Sequence, residues 1–122
     1  MRIAISSLGR ELEAMLDPRF GRTEGFILYD TENGRSSYLD NAGNASDPNM
    51  AGIKTAQNVV DAGAAAVITC HIGPNAYPVL ESAGVQVYLC DEVSVREAIH
   101  RFEQGNLQLT QEPDASMHWQ SG

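Results

Sequence analysis

The sequence predicts an α/β fold built on a mixed five-stranded sheet, an antiparallel meander followed by β-α-β, with helices on its faces. Three observations carry this reading. The first 40 residues hold three short apolar runs, and the last two are separated by Asn33-Gly34, a pair that tolerates the positive φ of a tight hairpin turn. After Asn49 the texture changes to alternating helical and extended periodicity. Gly63, Gly84 and Gly105 recur 21 residues apart, each where a helix needs a left-handed terminator.

Ile3 and Ile5 alternate with smaller neighbours and predict a strand over residues 2–7. Residues 8–24 read as a loop with a helical turn around Leu12 to Leu16. Phe26-Ile27-Leu28-Tyr29 and Ser37-Tyr38-Leu39 are the second and third strands, and residues 41–49 are turn-forming and mobile. A helix over residues 50–62 leads to Gly63 and to the fourth strand, Ala66-Val67-Ile68-Thr69. The next helix places Ala76, Val79, Leu80 and Ala83 on one face and stops at Gly84; Val85-Gln86-Val87-Tyr88-Leu89 follows as strand five. The last helix repeats that spacing at Val95, Ala98, Ile99 and Phe102 and opens on a capping box, Ser94 with Glu97. Residues 1–109 are read as one domain, and 110–122, lacking periodicity, as a loose tail.

The chain has 122 residues, 43% apolar and 20% charged, a normal balance for one globular domain. Eight basic against sixteen acidic residues leave a formal charge of −8, which argues against nucleic acid and against an anionic membrane surface. No apolar run approaches the ~20 residues that span a bilayer. The N-terminal apolar stretch is too short for a signal peptide, so a cytoplasmic location is expected. In that reducing compartment, Cys70 and Cys90 are expected to be free thiols or metal ligands rather than a disulfide.

Strands four and five must run parallel, because each returns through a helix. Ligands of open α/β sheets sit beyond the carboxyl ends of the strands. Strand four runs directly into Cys70-His71 and strand five into Cys90, so two thiols and an imidazole leave the same sheet edge. Such soft ligands suit copper, zinc or iron–sulfur species. The plainer reading makes both cysteines small apolar residues at strand ends. Extended geometry also turns Cys70 and His71 to opposite faces, which weighs against a shared metal and against a Cys–His catalytic pair.

Gly73-Pro74-Asn75-Ala76 opens a helix whose free N–H groups could attract an anion, with Asn75 as N-cap and Pro78 in the first turn. Positive charge is available in Asp17-Pro18-Arg19-Phe20-Gly21-Arg22 and at Lys54; pairing with neighbouring acids is an equally good reading of it. His100 falls on the polar side of the last helix, and His118 with Trp119 in the tail. No dinucleotide-binding, phosphate-loop or Gly-x-Ser-x-Gly motif occurs.

Taken in order over residues 1–107, these segments resemble the dinitrogenase iron–molybdenum cofactor biosynthesis family. The resemblance runs through Asp17-Pro18-Arg19-Phe20-Gly21-Arg22, Phe26-Ile27-Leu28-Tyr29-Asp30, Gly52-Ile53-Lys54-Thr55-Ala56-Gln57, Gly73-Pro74-Asn75-Ala76 and Phe102-Glu103-Gln104-Gly105-Asn106-Leu107. It implies a ribonuclease-H-like fold with sheet order 3-2-1-4-5, no nuclease activity, and carriage of a metal–sulfur cluster of Fe–Mo–S or Mo/Cu–S type. The implied partners are cluster donor and acceptor proteins. Arg19, Phe20, Gly21 and Arg22, with Gly73, Pro74 and Asn75, would form the cradle, and His71, Cys70 and Cys90 would supply the ligands. Cys70 departs from the family, which commonly has a small residue there. Two other readings stand beside carriage: a regulatory or interaction module taking a small anion or no ligand, and a thiol enzyme, which requires a Cys70 of depressed pKa.

Overall fold

The chain opens with β1 (Arg2–Ser6) in the computed structural model, which describes residues 1–114. Ile3 and Ile5 face one side of the sheet and Ala4 the other, all three with no exposed surface. β2 (Gly25–Asp30) pairs antiparallel with β1, and β3 (Ser36–Asp40) antiparallel with β2. Between β2 and β3, Gly34 takes φ 73°, the left-handed turn expected of Asn33-Gly34.

α1 (Ala42–Ala45) and α2 (Ala51–Asp61) come next, then β4 (Ala66–Thr69), α3 (Tyr77–Ser82), β5 (Gln86–Leu89), α4 (Val95–Glu103) and β6 (Gln108–Thr110). β4 pairs parallel with both β1 and β5. The helices preceding Gly63, Gly84 and Gly105 end where expected, with φ of 79°, 77° and 73° at those glycines. Two apolar layers result. Phe20, Phe26, Ala56, Val59, Val67, Leu80 and Val87 fill the layer on the α2 and α3 side. Ile5, Leu16, Ile27, Ile68, Cys70, Val95 and Ile99 fill the layer on the α4 side.

Several expectations are corrected. The sheet has six strands, not five, in the order β3-β2-β1-β4-β5-β6. β6 adds antiparallel to the open edge of β5, pairing Leu89 with Gln108 and Val87 with Thr110. Its three residues are too few to show alternation, and the unpaired backbone of β5 supplies its pairing. The boundary expected at residue 109/110 therefore falls inside a strand, and Asp114 still makes backbone and side-chain hydrogen bonds to the body. His118 and Trp119 lie outside the described residues.

The helical turn expected around Leu12 to Leu16 is cut to a single hydrogen-bonded turn at Leu12-Glu13, closed by Ala14 N donating to Glu11 O at 3.0 Å. Met15 and Leu16 are then held extended, with Leu8 N donating to Met15 O at 2.9 Å and Leu16 N to Val93 O at 2.9 Å. The segment read as mobile contains α1, anchored by the buried Asn41. The Asn41 amide donates to Thr23 O at 2.9 Å and to Thr55 Oγ1 at 2.8 Å. The capping box is half made. Ser94 Oγ accepts the Glu97 N–H at 3.1 Å, while the Glu97 carboxylate turns to Arg101 at 2.9 Å. Among the described residues, no helix is long and apolar enough to cross a membrane.

Candidate metal-cluster site

The carboxyl ends of β4 and β5 lie in register, Thr69 opposite Leu89, and Cys90 N donates to Thr69 O at 3.0 Å. Cys70 and Cys90 therefore leave adjacent parallel strands side by side. Beneath them the Ser6 and Thr69 hydroxyls, both fully buried, bond at 2.8 Å and tie the ends of β1 and β4 together. Both cysteines are free; Cys70 is buried and Cys90 half-buried. A cleft of about 370 Å³ opens here, lined by Cys70, His71, Cys90, Asp91, Glu92 and Arg101 among others. The three residues expected as ligands thus meet at one cleft. Among the described residues, no three His, Cys, Asp or Glu side chains converge closely enough to hold a single metal ion.

Strand alternation breaks after Cys70, so the expected opposite-face placement does not keep His71 out of the cleft that Cys70 lines. Cys70 packs in the α4-side layer, whereas Ile72, two residues on, is buried in the α2/α3-side layer. Unbroken alternation would have kept the two together. His71 sits at the turn, held by its backbone: its N–H donates to Pro18 O at 2.9 Å and its carbonyl accepts from Phe20 N at 3.1 Å. Its Nδ1 lies 3.0 Å from Asp114 Oδ2.

Burial pushes the Cys70 thiol up to about 12, and the neighbouring Cys90, Glu92, Asp17 and Asp91 push the same way. The Cys90 thiol is also raised, mainly by burial, against the opposing pull of Arg101. A thiol enzyme requires the reverse at Cys70, since the thiolate is the nucleophile. Arg101 is the cleft's own cation, held by Glu97 at 2.9 Å and Asp91 at 3.4 Å.

The residues expected to form a cradle are distributed differently. Phe20 is fully buried and packs tilted against Phe26, with ring centroids 5.4 Å apart and planes 57° to one another, and Gly21 is buried beside it. Arg22 donates to Ala45 O at 3.0 Å and Asp47 O at 3.2 Å, closing the C-terminal end of α1. Lys54 pairs with Asp47 at 2.7 Å. Arg19 is exposed and lies alongside His71 through a parallel bridge. α3 begins at Tyr77, so Ala76 rather than Asn75 is the cap residue and Pro78 is the helix's second residue. Gly73 O already accepts the Tyr77 N–H at 3.2 Å, while Pro74 and Asn75 are half-buried in the connecting turn.

Arg101 and Asp114 were not anticipated from the sequence. The spacing of Glu97 and Arg101, four apart on a helix, was a readable signal for the first. Asp114, in an aperiodic stretch, carried none.

The chain as a whole is similar to several known proteins. The family described as dinitrogenase iron-molybdenum cofactor matches residues 1–105. An uncharacterized protein of Methanocaldococcus jannaschii is 35% identical over 95 residues, covering 76% of this chain and 80% of that protein. The apo form of the orange protein from Desulfovibrio gigas superposes with a TM-score of 0.91 at 35% identity, over 93% of this chain and 96% of that one. A Thermotoga protein provisionally described as NifB superposes with a TM-score of 0.81 at 37% identity, over 93% and 98% of the two chains. The chain belongs to the dinitrogenase iron-molybdenum cofactor family.

Proposed function

We propose that this chain binds and delivers a metal–sulfur cluster, of the iron–molybdenum-cofactor kind or a related molybdenum, copper or iron sulfide, without catalysing a reaction on it. The observation that carries the reading is the cleft where Cys70, His71 and Cys90 meet at the carboxyl edge of β4 and β5. Two thiols and an imidazole are the donor set that soft, sulfide-bridged metals prefer. The cleft is open to solvent on the β5 side, as a carrier that passes cargo between donor and acceptor proteins in the cytoplasm requires. Arg101 within the cleft and Arg19 beside His71 offset an anionic cargo. Asp91 and Glu92 oppose them, but both are exposed, where water and salt screen their charge. The family, described by the iron-molybdenum cofactor, points to the same class of cargo.

Anaerobic reconstitution with iron, molybdate or copper plus sulfide tests the reading. Wild type is expected to gain visible charge-transfer bands and the Cys70→Ala/His71→Ala double variant to lose them. A wild type that stays colourless and metal-free overturns it in favour of a regulatory module. Equal colour in the double variant overturns the ligand assignment.

A further inference from the structure

The segment after β6 returns across the carboxyl edge and reaches the dipeptide His71-Ile72. One residue makes three contacts there. Asp114 Oδ2 lies 3.0 Å from His71 Nδ1, and its Oδ1 accepts the Ile72 N–H at 2.7 Å. Its own N–H donates to Ile72 O at 3.1 Å. The Tyr77 hydroxyl, donating to Thr110 O at 3.4 Å, adds a second attachment along the same strap. Ile72 is fully buried, so Asp114 grips a fixed part of the core rather than a loop. From the other side, Pro18 O and Phe20 N hold the His71 backbone. Asp114 lies beyond residues 1–105, the span the family accounts for.

We propose that Asp114 is a positioning residue for His71: it selects the imidazole tautomer protonated at Nδ1 and so makes Nε2 the nitrogen that meets the metal. An ionised carboxylate only accepts hydrogen bonds. A neutral ring whose Nδ1 faces it must carry its proton on that nitrogen, because the other tautomer sets two lone pairs against each other at 3.0 Å. Metal-binding histidines generally donate their second ring N–H to such a partner, which fixes the tautomer and raises the basicity of the ligating nitrogen. The double hold on Ile72 fixes the carboxylate, and the carboxylate then fixes the ring. The inference rests on His71 being a ligand, as proposed above.

Two measurements on the full chain test it. In unloaded protein at about pH 8, above the ordinary imidazole range, long-range ¹H–¹⁵N NMR is expected to show His71 protonated at Nδ1. Asp114→Ala shifts it toward the Nε2-protonated form that free imidazole favours. Asp114→Asn, milder for the fold, has one acceptor oxygen for two donors and shifts it part of the way. In protein reconstituted with copper, molybdate and sulfide, Asp114→Ala is expected to retain cluster about 10–100-fold less tightly. A wild-type His71 protonated at Nε2 overturns the proposal, as does an unchanged tautomer in Asp114→Ala. Equal or tighter retention by Asp114→Ala also overturns it, tighter retention marking the strap as an inhibitor. If wild type takes up no cluster, the functional reading fails while the tautomer measurement still decides the role of Asp114.

Discussion

On the β1 flank of His71, the loop from Phe20 to Arg22 is packed shut: Phe20 packs tilted against Phe26, Gly21 is buried, and Arg22 is spent on the Ala45 and Asp47 carbonyls. On the β5 flank lies an open cleft bearing two thiols, a guanidinium and two carboxylates. Both flanks carry residues whose types suit a cluster cradle. The difference shows that residue type marks a neighbourhood, while packing decides which member of it can meet a ligand. A guanidinium that closes a helix end is no longer available to an anion without breaking the fold.

The sharpest way to break this comparison is Phe20→Ala. If the loop is core, the change costs about 3–5 kcal/mol of stability, as buried Phe deletions do, read from chemical denaturation. A stable variant that fails only to hold cluster would make the loop a binding wall. On the cleft side, the raised Cys70 thiol gives stability a pH signature. Below its ordinary value near 9 the thiol is protonated in both states and contributes no slope. Between 9 and about 12 the unfolded chain loses the proton that the fold keeps, so stability falls as pH rises. The loss is at most about 1.4 kcal/mol per pH unit, and the difference from Cys70→Ala isolates it. A wild type whose alkaline limb matches Cys70→Ala would show the thiol to be solvated.

Arg22→Met sharpens the same contrast more gently. Losing two charge-assisted bonds to carbonyls at a partly exposed site is expected to cost about 1–2 kcal/mol, with cluster retention unchanged. A loss of retention at full stability would return Arg22 to the cradle. The smallest effect belongs to Asp47, held at about 2 by Lys54 and by the Asn49 and Met50 amides. Its folded value is depressed, so its stabilisation is present above the ordinary carboxylate range and lost as pH falls toward 2. Asp47→Asn should flatten that part of the acid limb. An unchanged limb would mean that the Lys54–Asp47 pair does not persist in solution, leaving Lys54 available to cargo.

Much of the fold was legible because its signals are local. Ile3 and Ile5, the Asn33-Gly34 turn and the glycines at 63, 84 and 105 each report the conformation of their own few residues. The neighbouring exits of Cys70 and Cys90 followed from connectivity, since parallel strands joined by helices bring their carboxyl ends to one edge. The failures lie where a distant partner decides. Leu12 to Leu16 have helix-compatible composition, yet after one turn at Leu12-Glu13 the contacts with Val93 and Ser7 hold Met15 and Leu16 extended. Asn41 looked like a turn residue and became the buried anchor of α1 through Thr55.

By itself, then, the sequence determined the alternation of strands and helices, the parallel pairing of β4 with β5, and the edge where the chemistry gathers. Periodicity, turn chemistry and crossover handedness act over a few residues or through connectivity alone. Only the tertiary structure decided that Arg22 is committed to a carbonyl 23 residues away, and that Asp114 grips a histidine 43 residues behind it. Such contacts exist only once the sheet has closed, because nothing in the local preferences of either partner encodes the other. The same closure leaves β5 an open edge, onto which β6 pairs and past which the chain turns back to His71.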